Sequence, residues 1–152
     1  MYSATLLVHS WLRWAVVIVG VIVLFRAIAG ASVHRPWTAA DDRAGSWFTI
    51  GLDLQVLIGL FLYFVLSPFT TDALKDFGAA MRTPQLRFWA VEHAFGMLVA
   101  VVLAHIGRLR IRKAELSRRH TIAAIFFGIA LLAVLASIPW PGTPNGRPWI
   151  RF

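Results

Sequence analysis

Thr5-Leu-Leu-Val-His-Ser-Trp-Leu-Arg-Trp-Ala-Val-Val-Ile-Val-Gly-Val-Ile-Val-Leu-Phe-Arg-Ala-Ile-Ala29 is the stretch whose reading decides the fold. It is almost uninterruptedly apolar, and only Arg13 and Arg26 carry charge. At 1.5 Å per residue it exceeds the ~20 residues needed to cross ~30 Å of hydrocarbon. The apolar residues run on continuously and do not alternate, which predicts a helix rather than a barrel strand, and a helix satisfies its own backbone in lipid. A cleaved leader would have a basic start and a shorter apolar run, and this stretch has neither. Three further runs have the same character: Ser46–Leu66, Leu86–Gly107 and Thr121–Ile138. The expected fold is therefore all-α: an integral-membrane, up-down four-helix transmembrane bundle over residues 1–141. Residues 142–152 follow as an extended arm, because prolines and glycines crowd the end of the chain.

Composition supports a lipid environment. Of the 152 residues 59% are hydrophobic and 14% charged, against about 45–50% and about 25% in soluble domains. Mean hydropathy is +0.70. A chain this small could not bury so much apolar surface in a water-soluble core. The absence of cysteine excludes disulfides, thiolate metal sites, cysteine-held iron–sulfur clusters and covalent c-type haem. Any metal or haem would have to be held by His, Met or carboxylate side chains. No phosphate loop, zinc-protease motif or nucleophile–base motif occurs.

The net charge of +8 lies mostly between the apolar runs, so topology and anionic lipid account for it better than nucleic acid does. Arg26, Arg35 and Arg43 near the first connection and Arg108, Arg110, Arg112, Lys113, Arg118 and Arg119 in the third make nine basic residues. Lys75, Arg82, Arg87, Arg147 and Arg151 make five on the opposite side. The positive-inside rule then puts the first and third connections in the cytoplasm and both termini outside, in a bacterial inner membrane. Tryptophans near the run ends, Trp11, Trp14, Trp37, Trp47, Trp89, Trp140 and Trp149, read first as interfacial belt residues.

Polar groups inside spans are costly and point to function. His9 and Arg13 share a face of the first span, at i and i+4, and Val16, Gly20 and Ala27 continue it. The third span carries Glu92 and His93, and from His93 runs a stripe of small residues, Gly96, Ala100, Ala104 and Gly107, suited to close helix packing. Counted from the run ends, His9 and His93 lie at similar depth, about 6 and about 10 Å from the outer end. Two imidazoles on facing helices can hold the iron of a b haem at both axial positions. In that reading His9 and His93 are the metal ligands, Arg13 pairs with Glu92 or with a haem propionate, and Trp14, Trp89 and Phe88 wall the ring. A structural His9, a carbonyl-bound His93 and an Arg13–Glu92 ion pair form the competing reading. Deeper in the bundle, Asp53 is expected to pair with Arg26. His105 lies about 120° around the helix from His93 and so points elsewhere. Asp53 is expected several ångströms deeper than His105, a poor match for it. His34 and His120 fall in connections and receive no role.

Several motifs carry a resemblance. His9-Ser-Trp-Leu-Arg-Trp14, Asp53-Leu-Gln-Val-Leu-Ile-Gly-Leu60 followed by Leu62-Tyr63-Phe64, Arg87-Phe-Trp-Ala-Val-Glu-His93, and Ile138-Pro-Trp-Pro141 together resemble a group of small four-span bacterial membrane proteins labelled cytochrome b. The resemblance covers His9 to Pro141. It implies a b-haem electron-transfer role with His9 and His93 as ligands. The chain departs from that group in its tail, Gly142–Phe152. Its Arg147, Trp149, Ile150 and Phe152 have the composition of a docking segment. Two functions are thus expected from different classes. One is a small b-type cytochrome exchanging electrons near the outer face, with quinone as a candidate redox partner. The other is a non-catalytic accessory subunit, docked through helices and tail onto a larger respiratory or photosynthetic complex.

Overall fold

A computed structural model describes residues 1–150. The protein is an all-α bundle with four helices long and apolar enough to cross a membrane: Tyr2–Ser32, Ala39–Leu66, Pro84–Lys113 and Leu116–Ser137. It is a multi-pass membrane protein. The regular helices are α1 (Tyr2–Ser32), α2 (Ala39–Phe61), α3 (Pro68–Lys75), α4 (Phe77–Arg82), α5 (Pro84–Arg87), α6 (His93–Lys113) and α7 (Arg119–Ser137). The second span continues past α2 as a π-helical turn, Leu62–Leu66, and a second π turn, Phe88–Glu92, joins α5 to α6. The spans run longer than the apolar runs alone indicate, because polar residues extend each helix past the hydrocarbon. The connection from Ser67 to Gln85 is not plain loop but carries α3 and α4, started by Pro68 and by an Asp76 side chain that caps Ala79 N–H at 2.9 Å.

The spans form a ring in which α1 contacts α2 and α7, and α6 contacts α2 and α7. Tyr2 at the start of the chain and Arg147 in its C-terminal arm lie at one end of the bundle, here the terminal end; the opposite one is the basic end. The largest fully buried side chains of the core are Phe48, Leu52, Ile111, Phe127 and Val134. Phe48 meets Phe127 edge-to-face with centroids 5.7 Å apart, a preferred aromatic geometry. The face of α1 expected to turn inward does so: Val16, Gly20 and Ala27 are buried, as are Ala100, Ala104 and Gly107 on α6. Small residues are needed here. A Cβ at Gly20 would come within 2.8 Å of the Phe48 ring and 2.9 Å of Leu131, so bulk at this position would push the helices apart.

The basic end is tied by charge. Asp41, 4% exposed, accepts from Arg26 Nη2 at 2.7 Å, from Arg35 Nη2 at 2.8 Å, and from both the N–H and hydroxyl of Thr38 at 2.9 and 2.6 Å. With Thr38 it closes a capping box that starts α2. Beside it, Arg108 is buried and donates to Asp42 at 2.9 Å and to the Ser46 hydroxyl at 2.7 Å. Arg26, expected to pair with Asp53, instead takes Asp41. The reason is reach: α2 starts at Ala39, so Asp41 is helical and faces α1, while Asp53 lies about three turns further along.

His120 also departs from expectation. It lies on α7, is 2% exposed, and packs on Trp37 with centroids 4.9 Å apart. Its ring fills the space over Gly30, where an added Cβ would overlap three of its atoms. Gly30→Ala should therefore lower stability by about 1–3 kcal/mol, the usual cost of overpacking, read as a lower thermal midpoint in detergent. An unchanged midpoint would show that His120 is free to move aside.

Candidate functional site

At the terminal end the four spans diverge around a cavity of about 130 Å³. By the same measure one water needs about 10–15 Å³, so the space suits a larger guest. His9 of α1 and His93 of α6 both line it, with Gln55, Trp89, Arg13 and Arg147. The two imidazole centroids stand 6.4 Å apart, with ring planes at 72°. Gly59 makes room for His9: a Cβ there would lie 3.2 Å from the ring's Cε1.

Each imidazole is held in a defined way. His93 Nδ1 lies 2.8 Å from the Ser137 carbonyl at the end of α7. A carbonyl only accepts, so Nδ1 bears the proton and Nε2 keeps the lone pair of the neutral ring. Gln55 Nε2 donates to the His9 carbonyl at 3.1 Å and faces His9 Nε2 at 3.2 Å. Its amide nitrogen is fixed by the carbonyl, so His9 Nε2 is the acceptor and Nδ1 the protonated atom. His9 Nδ1, Gln55 Oε1 and Trp89 Nε1 are buried and have no protein hydrogen-bond partner. Three unpaired polar atoms around one cavity are uncommon, because such groups normally find partners.

The site is walled by aromatics from short elements that apolar periodicity did not predict. Trp89, in the π turn before α6, packs on His93 at 5.6 Å and near Phe69 of α3 at 6.4 Å. Phe88, expected as a wall, stands 6.0 Å from His93 but does not line the cavity. The second π turn is pinned to the first, since Tyr63 donates to the Ala90 carbonyl at 2.8 Å.

Of the residues expected at the site, His9, Arg13, Trp89 and His93 converge on the cavity. Glu92 does not. It accepts from Arg87 Nε at 2.7 Å on the exposed surface, so the expected Arg13–Glu92 pair is replaced. One residue is 100° around a helix, and Glu92 cannot share the inward face of its neighbour His93. Arg13 instead lies over Trp14, 5.1 Å from its centroid, and its Nη2 donates to the Trp149 carbonyl at 3.4 Å. Trp14 also stands back from the cavity and donates to the same carbonyl at 2.8 Å.

The C-terminal arm lies back on the bundle. Trp149 stacks on Trp14 at 5.8 Å and meets Trp140 edge-on at 5.5 Å. The Arg147 guanidinium covers the Trp89 and Phe69 rings at 5.0 and 5.1 Å. Ile150 is exposed, and Phe152 lies outside the described residues. Sequence reasoning assigned Arg147 to docking and missed it as a cavity residue, because nothing local says that an extended arm folds back.

The deeper polar residues form a separate pair. His105 Nε2 and Asp53 Oδ1 are 2.8 Å apart, correcting the expectation that the two are poorly matched in depth. Among the described residues no three His, Asp or Glu side chains converge as protein-only ligands for a metal ion. No family model, curated protein or solved structure matches the chain.

Proposed function

We propose that this protein is a small membrane b-type cytochrome, with haem held between His9 and His93. The observation that carries this reading is the pair of imidazoles facing one cavity with centroids 6.4 Å apart. Two imidazoles this close on facing helices would be placed to hold one haem iron between them. His93 fits a ligand best. Its Nδ1–H is spent on the Ser137 carbonyl, the outer-shell bond that metal-bound histidines use to fix their tautomer. His9 would ligate through Nε2, which now accepts from the Gln55 amide at 3.2 Å and would come free by turning Gln55 aside; its Nδ1 keeps the proton.

The remaining residues suit the edges of a porphyrin. Arg13 and Arg147 supply positive charge on the cavity wall, where propionates need it. Trp89 and Phe69 add aromatic surface to the cavity lining, with Arg147 lying over both rings. A bound haem would supply one-electron exchange; the chain orients the ring, excludes water and balances the propionate charge. The positive-inside reading puts this end of the bundle outside the cytoplasm.

The test is spectroscopic. Protein purified in detergent, or reconstituted with added haemin, should show a Soret band that shifts on reduction and saturates at one haem per chain. Absence of a saturable band in both preparations would overturn the reading.

A further inference from the structure

Asp53 and His105 form a polar pair on the outside of the bundle. Their side chains are 39% and 52% exposed. Asp53 stands 14 residues after Ala39 and 13 before Leu66, near the middle of its span. His105 stands 8 residues before Lys113, about 12 Å from that end. Around them the faces of α2 and α6 are apolar and exposed: Ile50, Leu54 and Leu57 on one, Val102, Ile106 and Leu109 on the other. Lipid would solvate those apolar side chains well. It would leave the Asp–His pair facing hydrocarbon, and ionisable groups in spans almost always turn to protein or water.

We propose that this face is covered by a second copy of the chain, related by a two-fold axis along the membrane normal. Charge complementarity and depth argue for a copy over another partner. Any partner must place a donor and an acceptor at the depth of this one pair. A second copy in the same membrane orientation does so without further requirement, because Asp53 and His105 lie at one depth, 2.8 Å apart. A two-fold then sets Asp53 of each chain toward His105 of the other, the self-complementary arrangement of an isologous interface. The surrounding aliphatic side chains supply packing. This inference is independent of haem, whose cavity lies at the terminal end.

The absence of cysteine makes the test direct. In native membranes the single variants Leu57→Cys and Val102→Cys should form disulfide-linked dimers on mild oxidation. Ile18→Cys, on the exposed face of α1, should not. Single-molecule photobleaching of the full chain in lipid should count two copies, and Asp53→Asn with His105→Gln should weaken dimerisation about tenfold. The substituted positions face outward, so folding is not at stake, and the Soret measurement reports separately on the haem site. One copy per particle, cross-linking no greater than at position 18, or cross-linking to a different membrane protein would each overturn the proposal.

Discussion

His93→Ala is expected to abolish the haem spectrum, while His105→Ala leaves it intact. Removing the imidazole deletes a ring nitrogen whose lone pair is set free by the Nδ1 hydrogen bond, and leaves the Ser137 carbonyl without its 2.8 Å partner. Apart from His9 itself, the described residues of the cavity lining include no other imidazole or carboxylate; the remaining polar groups are hydroxyls, one amide, two guanidiniums and an indole, with the Met97 thioether beside them. The supporting bond is testable alone. A Cβ added at Gly96 would overlap the Ser137 hydroxyl and push the end of α7 away from His93. Gly96→Ala should therefore lower haem affinity about 10–100-fold, the usual cost of losing an outer-shell partner, with the protein still folded by circular dichroism. Retention of wild-type affinity in both variants would mean that His93 is a packing residue only.

The largest loss of stability is expected from Asp41→Ala. This carboxylate collects two guanidiniums and both donors of Thr38 while almost fully buried. Its removal ends the capping box and leaves Arg26 and Arg35 facing one another. Breaking a buried pair costs about 3–5 kcal/mol. Both arginines are about a third exposed, so water would recover part of that, and about 2–4 kcal/mol is expected. Unfolding in a denaturing-detergent titration measures it. Asp42→Ala is the comparison. Its carboxylate is half exposed, and Arg108 keeps the Ser46 hydroxyl and the Asp42 backbone carbonyl. A loss at Asp42 as large as at Asp41 would contradict this account of the basic end.

The four spans were legible because bilayer thickness imposes a length and a composition that few other folds share. The facing of His9 and His93 was legible for a related reason: helical pitch fixes both depth and face once a span is recognised. The errors arise where neither helix ends nor helix offsets follow from the apolar runs. Measured from Ser46 and Gly107, Asp53 and His105 fall at different depths. Counted from the helix ends at Ala39 and Lys113 they still differ by six residues, yet they meet at 2.8 Å, because packing sets how the two helices are offset along the bundle and residue counts do not. His120 was lost because α7 begins at Arg119, one residue before it, and not with its apolar run. Glu92 was misassigned because depth was matched without angle. Trp89 was legible as a wall residue. The π turn that holds it, and the return of Arg147 to it, depend on tertiary contacts that no local pattern encodes.

The π turns have a consequence for how such a protein can vary. A π turn closes its hydrogen bond over one more residue than an α turn, so Phe88–Glu92 holds the equivalent of one inserted residue. His93 lies just after it, at the start of α6. Loss of one residue from this turn would restore continuous α-helix and rotate Trp89 and α5 by about 100° about the axis, with His93 and α6 left in register. The aromatic wall and the imidazole are therefore on separate sides of a mechanical joint. A single-residue deletion here would change the wall, and with it the shape of the cavity, and leave His93 in place.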